Sequence, residues 1–257
     1  MHRFFVNPTQ ITLTAVILVA DQARQISSVL RMRAGEKIGV LDNRGWLYEV
    51  VLTSVQRKRV VGEIVGKTAV LTEPTTQLTL FQSVLKRDKF ELVLQKGTEI
   101  GVSRFVPVVT ERSQAQSVKD NKYERWQRIL TEAAEQSERG KVPKLETAVS
   151  FTDALQMAQT YDLALIAGAR EKEGHLKPIL LPLKQNPSST IAVFIGPEGG
   201  FSAAELDAAQ ANNIMPITLG PRILRTETAA IVATSLILYE IEMRDLPISN
   251  LQSPTPS

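Results

Sequence analysis

From residue 78 onward, apolar segments typical of buried strands alternate with segments of helical period. The strand-like segments are 78–85, 105–110, 161–167, 190–195 and 214–219, and helical patterns begin near Asp88, Lys122, Ser202 and Thr226. Strands that are apolar on both faces are typical of parallel sheets. The regular alternation therefore predicts an α/β domain with a mainly parallel sheet and helices on both faces.

The first 72 residues have a different pattern, with short strands and little helix. Two segments rich in Val, Ile and Thr, Leu47–Val55 and Val60–Val70, are joined by a basic turn, which predicts a hairpin. Short strands of this kind predict a small β-barrel. We therefore predict one domain at 1–72 and a second at 73–248, and we interpret 249–257, which has no apolar period, as a disordered tail.

Positive charge is concentrated in the first of these domains. Residues 1–72 contain ten Lys and Arg against five Asp and Glu, whereas the whole chain of 257 residues has 30 against 27. A basic module on a near-neutral body is typical of a protein with a polyanionic partner, and a solvated basic face is the alternative.

Composition excludes several kinds of site. The chain has no cysteine and two histidines, His2 and His175, so a thiolate or histidine metal site and a Ser-His-Asp triad are not expected. No apolar run reaches the roughly 18–20 residues that span a bilayer, and we interpret 11–20 as a strand rather than a signal-peptide core. We expect a cytoplasmic protein without membrane contact and without a metal.

Two unusual loops follow predicted strands, at the edge of a parallel sheet where ligands bind. The first, 195–202, is rich in glycine and leads into a helix whose start has a capping box of Ser202 and Glu205. It lacks a phosphate-binding lysine, and Glu198 would repel a phosphate, so a ligand with a cationic centre fits better. A simple strand-to-helix turn is the alternative.

The second loop, 219–228, contains Gly220-Pro221 and two arginines. Arg222 and Arg225 come directly after a strand end, where they could stabilise a developing anion. Surface arginines without a role are the alternative interpretation.

Together these loops resemble the cofactor-binding motifs of the SPOUT methyltransferases, and most closely those of the 16S rRNA uridine N3-methyltransferases of the RsmE type. Further matching motifs occur along most of the chain. They are 1–5 (MHRFF), 29–31 (VLR) with Gly35-Glu36, 95–101 (QKGTEIG), 111–113 (ERS), and 135–137 (EQS) with Arg139. One departure is Gln25, since the family usually has histidine there.

The resemblance implies a PUA-like N-terminal barrel, a C-terminal domain with a deep trefoil knot, and a homodimer that acts on 16S rRNA of the small ribosomal subunit. It implies that S-adenosyl-L-methionine is held in the knot. The implied cofactor-binding residues are Ile195, Gly196, Glu198, Gly199, Gly200, Leu219, Gly220, Ile223, Leu224, Arg225 and Thr226.

Methyl transfer to a nitrogen needs alignment of donor and acceptor more than it needs a metal. Uridine N3 must lose a proton, and Arg225 and Arg222 are the candidates that stabilise the anion. Glu198 either faces the positive end of the cofactor or accepts this proton.

RNA contacts are expected from the basic first domain, at Arg3, Arg24, Arg31 and Arg33. We expect strand alternation to bury one of Phe4 and Phe5 and to leave the other free to stack on a base. A ribose 2'-O-methyltransferase of the same superfamily, a nucleotide hydrolase and a non-catalytic RNA-binding assembly factor are the rival functions. The early motifs favour the base methyltransferase.

Overall fold

A computed structural model describes residues 1–86, 88–113, 118–168, 174–186 and 188–242, and the predicted tail 249–257 lies outside them. The chain divides into two compact units. The first contains Met1–Glu73, Leu94–Glu99 and Lys119–Lys144, and the second contains Pro74–Val93, Ile100–Val118 and the residues from Leu145 onward.

Strands and helices are numbered along the chain. They are β1 (Arg3–Phe5), β2 (Ala15–Val19), α1 (Ala20–Arg24), β3 (Lys37–Leu41), β4 (Trp46–Val55), β5 (Arg59–Ala69), β6 (Gln77–Ser83), α2 (Asp88–Ile100), β7 (Arg104–Val109), α3 (Asp120–Gln136), β8 (Lys144–Leu145), β9 (Val149–Ser150), α4 (Phe151–Ala158), β10 (Leu163–Ala167), α5 (Leu176–Leu180), β11 (Thr190–Ile195), α6 (Ala203–Ala211), β12 (Met215–Ile217) and α7 (Thr226–Glu242).

The first unit is built on a sheet in the order β1-β3-β4-β5-β2. Only β1 and β3 run parallel among the pairs described, and the predicted hairpin of β4 and β5 is confirmed. Alternate side chains of these strands meet in one apolar core with α1 and a π-helical turn, Gln25–Val29. Gly62 is required here, because a Cβ at this position would lie 2.3 Å from Cγ1 of Val50.

Helix α3 belongs to the first unit and is held there by an apolar stripe. Trp126, Leu130, Ala133 and Ala134 are buried, as the helical period predicts. The sequence pattern predicts a helix from Lys122 to Arg139, but the helix ends at Gln136. Glu138 has a φ of 61°, which ends the helix early. The buried Arg139 guanidinium donates instead to Glu73 at 2.7 Å and to the Thr98 carbonyl at 3.0 Å.

In the second unit the predicted parallel sheet is confirmed. The strands run in the order β12-β10-β11-β6-β7-β8, with β9 beside β7. Neighbours from β12 to β7 are parallel. At the centre, the rings of Phe81 and Phe194 stack with centroids 4.4 Å apart, and Phe151 meets Phe194 edge-on. The predicted capping box of Ser202 and Glu205 is also confirmed.

A partly buried carboxyl group connects α3 to β1. Glu135 accepts a hydrogen bond from the Phe5 amide at 2.9 Å. Burial raises the pKa of Glu135 to about 7, the Phe5 amide opposes this rise, and the charge of Glu132 adds to it. The folded state therefore holds this proton more tightly than the unfolded chain, whose pKa is near 4.5. The resulting stability is complete below that lower value and is lost as pH rises through about 7.

We expect Glu135→Gln to stabilise the protein at pH 8 and to change little at pH 5. The amide removes the charge and keeps an oxygen that can accept from Phe5. Urea unfolding at both pH values measures the difference, and Glu124→Gln, on an exposed position of the same helix, is the control. An equal effect of Glu135→Gln at both pH values would contradict the titration of this group.

Candidate functional site

A cavity of about 550 Å³ opens beyond the carboxyl ends of β10 and β11, within the size range of small-molecule sites. The two loops singled out in the sequence form most of its wall. The structure brings all the predicted cofactor residues and Arg222 together here. The lining residues are Lys89, Ala167, Gly168, Ile195, Gly196, Pro197, Glu198, Gly199, Gly200, Leu219, Gly220, Arg222, Ile223, Leu224, Arg225, Thr226 and Ala229.

Glycines shape the first loop in three different ways. A Cβ on Gly196 would lie 3.2 Å from the Phe201 ring, so this glycine allows the aromatic ring to pack closely. A Cβ on Gly199 would face Arg112 at 3.4 Å. Gly200 has a φ of 68° and open space where a side chain would begin, and its amide closes a turn to the Pro197 carbonyl at 2.9 Å. Only Gly200 of these three therefore leaves free space beside it.

The second loop has one constrained glycine and an exposed rim. Gly220 has a φ of 105°, which disfavours other residues, and a Cβ there would meet nothing within 4 Å. Arg222, Ile223 and Arg225 are exposed beside it. Within the described residues, neither arginine side chain has an ion pair or a hydrogen bond, so both cations are available to a ligand.

A buried polar network connects the first loop to the start of α7. The Thr226 hydroxyl donates to the Gly196 carbonyl at 2.5 Å and accepts from the Gln82 amide at 3.3 Å. The same amide approaches the Ser83 and Ile195 carbonyls. Gln82 Oε1 is buried without a hydrogen-bond partner in the described part of the chain. Sequence reasoning missed Gln82, since a polar residue within an apolar strand was its only signal.

Lys89, in the first turn of α2, is a second cavity residue that sequence reasoning missed. Its Nζ lies 3.2 Å from Glu198 Oε1 and 3.8 Å from Glu227 Oε2. Of the two carboxylates only Glu198 lines the cavity, and the ammonium offsets part of their combined negative charge. Nothing in the local sequence around Lys89 distinguishes it from a surface lysine.

The predicted RNA-binding arginines all belong to the first unit. Arg24, Arg31 and Arg33 are exposed. Arg3 is mostly buried and pairs with Glu138 at 2.9 Å, so this cation is already engaged.

The expectation that Phe4 or Phe5 would be free to stack is wrong, since they are only 1% and 8% exposed. Phe4 lies in the core of the sheet, and Phe5 packs in a separate cluster with Leu41 and Ala134. Both faces of this short strand are therefore covered.

No group of three or more potential metal-ligating His, Cys, Asp or Glu occurs among the residues that the structure describes. In the same residues, no helix has the length and apolar character that a membrane span requires.

Comparisons with known proteins match both parts of the chain. Residues 72–238 match the model of an RNA methyltransferase domain, and residues 21–65 match that of an RNA methyltransferase PUA domain. The expected fold class, a PUA-like domain followed by an α/β methyltransferase domain, is thereby confirmed. The trefoil knot stays a prediction.

Curated relatives are similar along most of their length. Ribosomal RNA small subunit methyltransferase E of Bacillus subtilis is 32% identical over 251 residues, which cover 95% of this chain and 98% of the relative. The protein of the same name from Mesomycoplasma hyopneumoniae is 34% identical over 233 residues, covering 90% and 96%.

Two solved structures have a similar fold over most of this chain. Ribosomal RNA small subunit methyltransferase E from Neisseria gonorrhoeae, bound to S-adenosyl methionine, has a TM-score of 0.82 at 31% identity, with 92% of this chain and 96% of that chain covered. A putative methyltransferase from Legionella pneumophila, in complex with the bound cofactor SAM, has a TM-score of 0.82 at 29% identity, covering 91% and 96%.

We expect Thr226→Val to destabilise the protein by about 1–3 kcal/mol, because it leaves the Gly196 carbonyl and the Gln82 amide without their shared partner. Thr226→Ser, which keeps the hydroxyl, should destabilise the protein less than Thr226→Val. Thr234→Val is the matched control, since within the described ranges the buried Thr234 hydroxyl bonds only to carbonyls of its own helix. Urea unfolding compares the three variants, and equal losses for Thr226→Val and Thr234→Val would show that the network adds no stability.

Proposed function

The chain belongs to the ribosomal RNA small subunit methyltransferase E family, and from this premise we propose that it methylates N3 of a uridine in 16S rRNA, with S-adenosyl-L-methionine as the methyl donor. The observation that carries the proposal is the cavity between the two glycine loops, at the carboxyl edge of the parallel sheet. The small ribosomal subunit is then the partner, and the cytoplasm is the place of action.

The cavity residues fit such a cofactor. Gly200 and Gly220 both have open space where a Cβ would project, so a side chain at either position would enter room that a ligand can use. Glu198 brings a carboxylate to the wall, and Glu227 lies near it, 3.8 Å from Lys89 Nζ; this negative charge favours a ligand with a cationic centre. S-adenosyl-L-methionine supplies a methyl group on a positively charged sulfur. The cofactor residues predicted from the sequence would hold it, largely through backbone groups of the two loops.

Catalysis then depends on charge and alignment within the chain's own residues. Loss of the N3 proton leaves an anion that spreads onto the neighbouring uracil carbonyls. Arg225, with Arg222 beside it at the exposed rim, would stabilise that anion, and because neither side chain is paired within the described residues, no rearrangement is needed first. Glu198 contributes the carboxylate of the opposite loop, where its charge favours the cationic part of the cofactor.

The two domains divide the work in this proposal. Residues 1–72 recognise RNA, and residues 73–248 bind the cofactor and carry out transfer. The exposed Arg24, Arg31 and Arg33 would contact phosphates, and Arg3 would do so if its pairing with Glu138 is exchanged for RNA. Because bases within a stack are not accessible, the target uridine must be unpaired or flipped out.

A homodimer completes the proposed assembly. Ala230, Ala233 and Ile237 of α7 are buried within the second unit, but Leu236 and Tyr239 are 45% and 62% exposed. These two residues are three positions apart and therefore share one face of the helix. An exposed apolar face of this kind suits contact with the same face of a second copy.

We expect the protein to transfer a labelled methyl group from S-adenosyl-L-methionine to small-subunit ribosomal RNA, and mass spectrometry of the digested RNA should locate it on uridine N3. Arg225→Ala should lower kcat by about 10²–10³-fold while cofactor affinity changes little, as is typical when a transition-state donor is removed. Arg128→Ala, an exposed arginine on α3, is the control. A methyl group on ribose would refute base methylation, and normal turnover by Arg225→Ala would remove Arg225 from the mechanism.

We expect the wild type to sediment as a dimer at micromolar concentration and Leu236→Glu to shift it toward monomer, because the charge would have to be desolvated in the interface. Leu71→Glu, at an exposed position of the first unit, is the control. An active wild-type monomer at this concentration would argue against the dimer.

A further inference from the structure

The segment Glu111–Ser113 matches the family resemblance, yet it does not line the cavity. It follows β7 directly, at the same edge of the sheet as the cofactor loops. Its backbone turn is fixed locally, because Ser113 Oγ accepts from the Thr110 amide at 3.0 Å and lies 2.8 Å from the Thr110 hydroxyl.

From this turn the Arg112 side chain reaches the outer side of the first glycine loop. Its Nη1 donates to the Gly199 carbonyl at 3.0 Å and to the Phe201 carbonyl at 3.3 Å. The space that a Cβ on Gly199 would need is bordered by Arg112 Cδ at 3.4 Å. A side chain at position 199 would therefore begin in contact with the Arg112 side chain.

A carboxylate fixes the same two segments from a second direction. Glu205 Oε1 accepts from the Glu111 amide, and Glu205 Oε2 accepts from the Ser202 amide, both at 2.8 Å. Glu205 therefore caps α6 and at the same time joins the loop to the turn after β7. Arg112 and Glu205, which do not line the cavity, therefore hold the loop at three backbone groups: the carbonyls of Gly199 and Phe201 and the amide of Ser202.

A loop with two adjacent glycines has many accessible conformations, and ordering it costs conformational entropy. If that ordering occurs only when a ligand binds, the ligand loses affinity, and if the loop is ordered beforehand the loss is avoided. We propose that Arg112 is a positioning residue that keeps loop 195–202 in its cofactor-binding shape without touching the cofactor. This inference rests on the proposed function, since it takes S-adenosyl-L-methionine as the ligand of the loop.

The test is a calorimetric titration of the full-length protein with S-adenosyl-L-methionine. Arg112→Ala should weaken binding about tenfold, close to the loss of one hydrogen bond from a charged donor. Arg112→Lys, which keeps one charged donor, should recover part of the affinity. At saturating cofactor, kcat on small-subunit RNA should remain near that of the wild type, so that the defect lies in the KM for S-adenosyl-L-methionine.

Arg104→Ala is the matched control. Arg104 is the first residue of β7, at the end of the strand opposite to Arg112 and the glycine loop, and its side chain pairs with Glu146. Its removal should lower Tm and leave the Kd for S-adenosyl-L-methionine unchanged, whereas Arg112→Ala should change Kd more than Tm.

The outcomes separate this inference from the proposed function. A wild type that fails to bind S-adenosyl-L-methionine would overturn both. A wild type that binds it, together with a folded Arg112→Ala variant of equal affinity, would overturn only the positioning role. An unchanged Kd with a reduced kcat would likewise overturn it, because Arg112 would then act on RNA or on the reaction itself.

Discussion

The Thr226 hydroxyl connects the two sequence segments on which the site depends. It joins the first turn of α7 to the Gly196 carbonyl directly after β11. The buried side-chain amide of Gln82, in β6, donates a hydrogen bond to the same hydroxyl. Thirty residues of chain separate Thr226 from Gly196. In a buried setting a lost partner is costly, so this contact fixes the spacing of the two loops. The cavity has its shape because that spacing is fixed.

The charges around the cavity have an asymmetry that suits a two-substrate transfer. Glu198 of loop 195–202 pairs with Lys89, whose ammonium also lies 3.8 Å from Glu227 in the first turn of α7, so these three groups together carry net negative charge. On the other loop, Arg222 and Arg225 are exposed. A cationic donor and an anionic acceptor would each meet the opposite charge, and neither wall would have to reorganise during transfer.

Local signals in the sequence predicted much of this structure, and contacts distant along the chain account for the rest. The β4–β5 hairpin, the parallel strands, the capping box of α6 and both loops follow from periodicity and turn residues. The place of β6 between β11 and β7 could not be predicted, because strand order depends on crossovers. Lys89 and Gln82 gave no usable signal, since only tertiary packing brings them to the loops. For Phe4 and Phe5, alternation predicted one outward side chain, but α3 covers the second face of the strand.

Hydrogen–deuterium exchange with and without S-adenosyl-L-methionine reports which backbone amides the bound cofactor shields from solvent. We expect protection concentrated in 195–202 and 219–226, with the amides of the hairpin formed by β4 and β5 unchanged. Binding without protection of these two loops, or with protection mainly in the first unit, would contradict the assignment of the cavity.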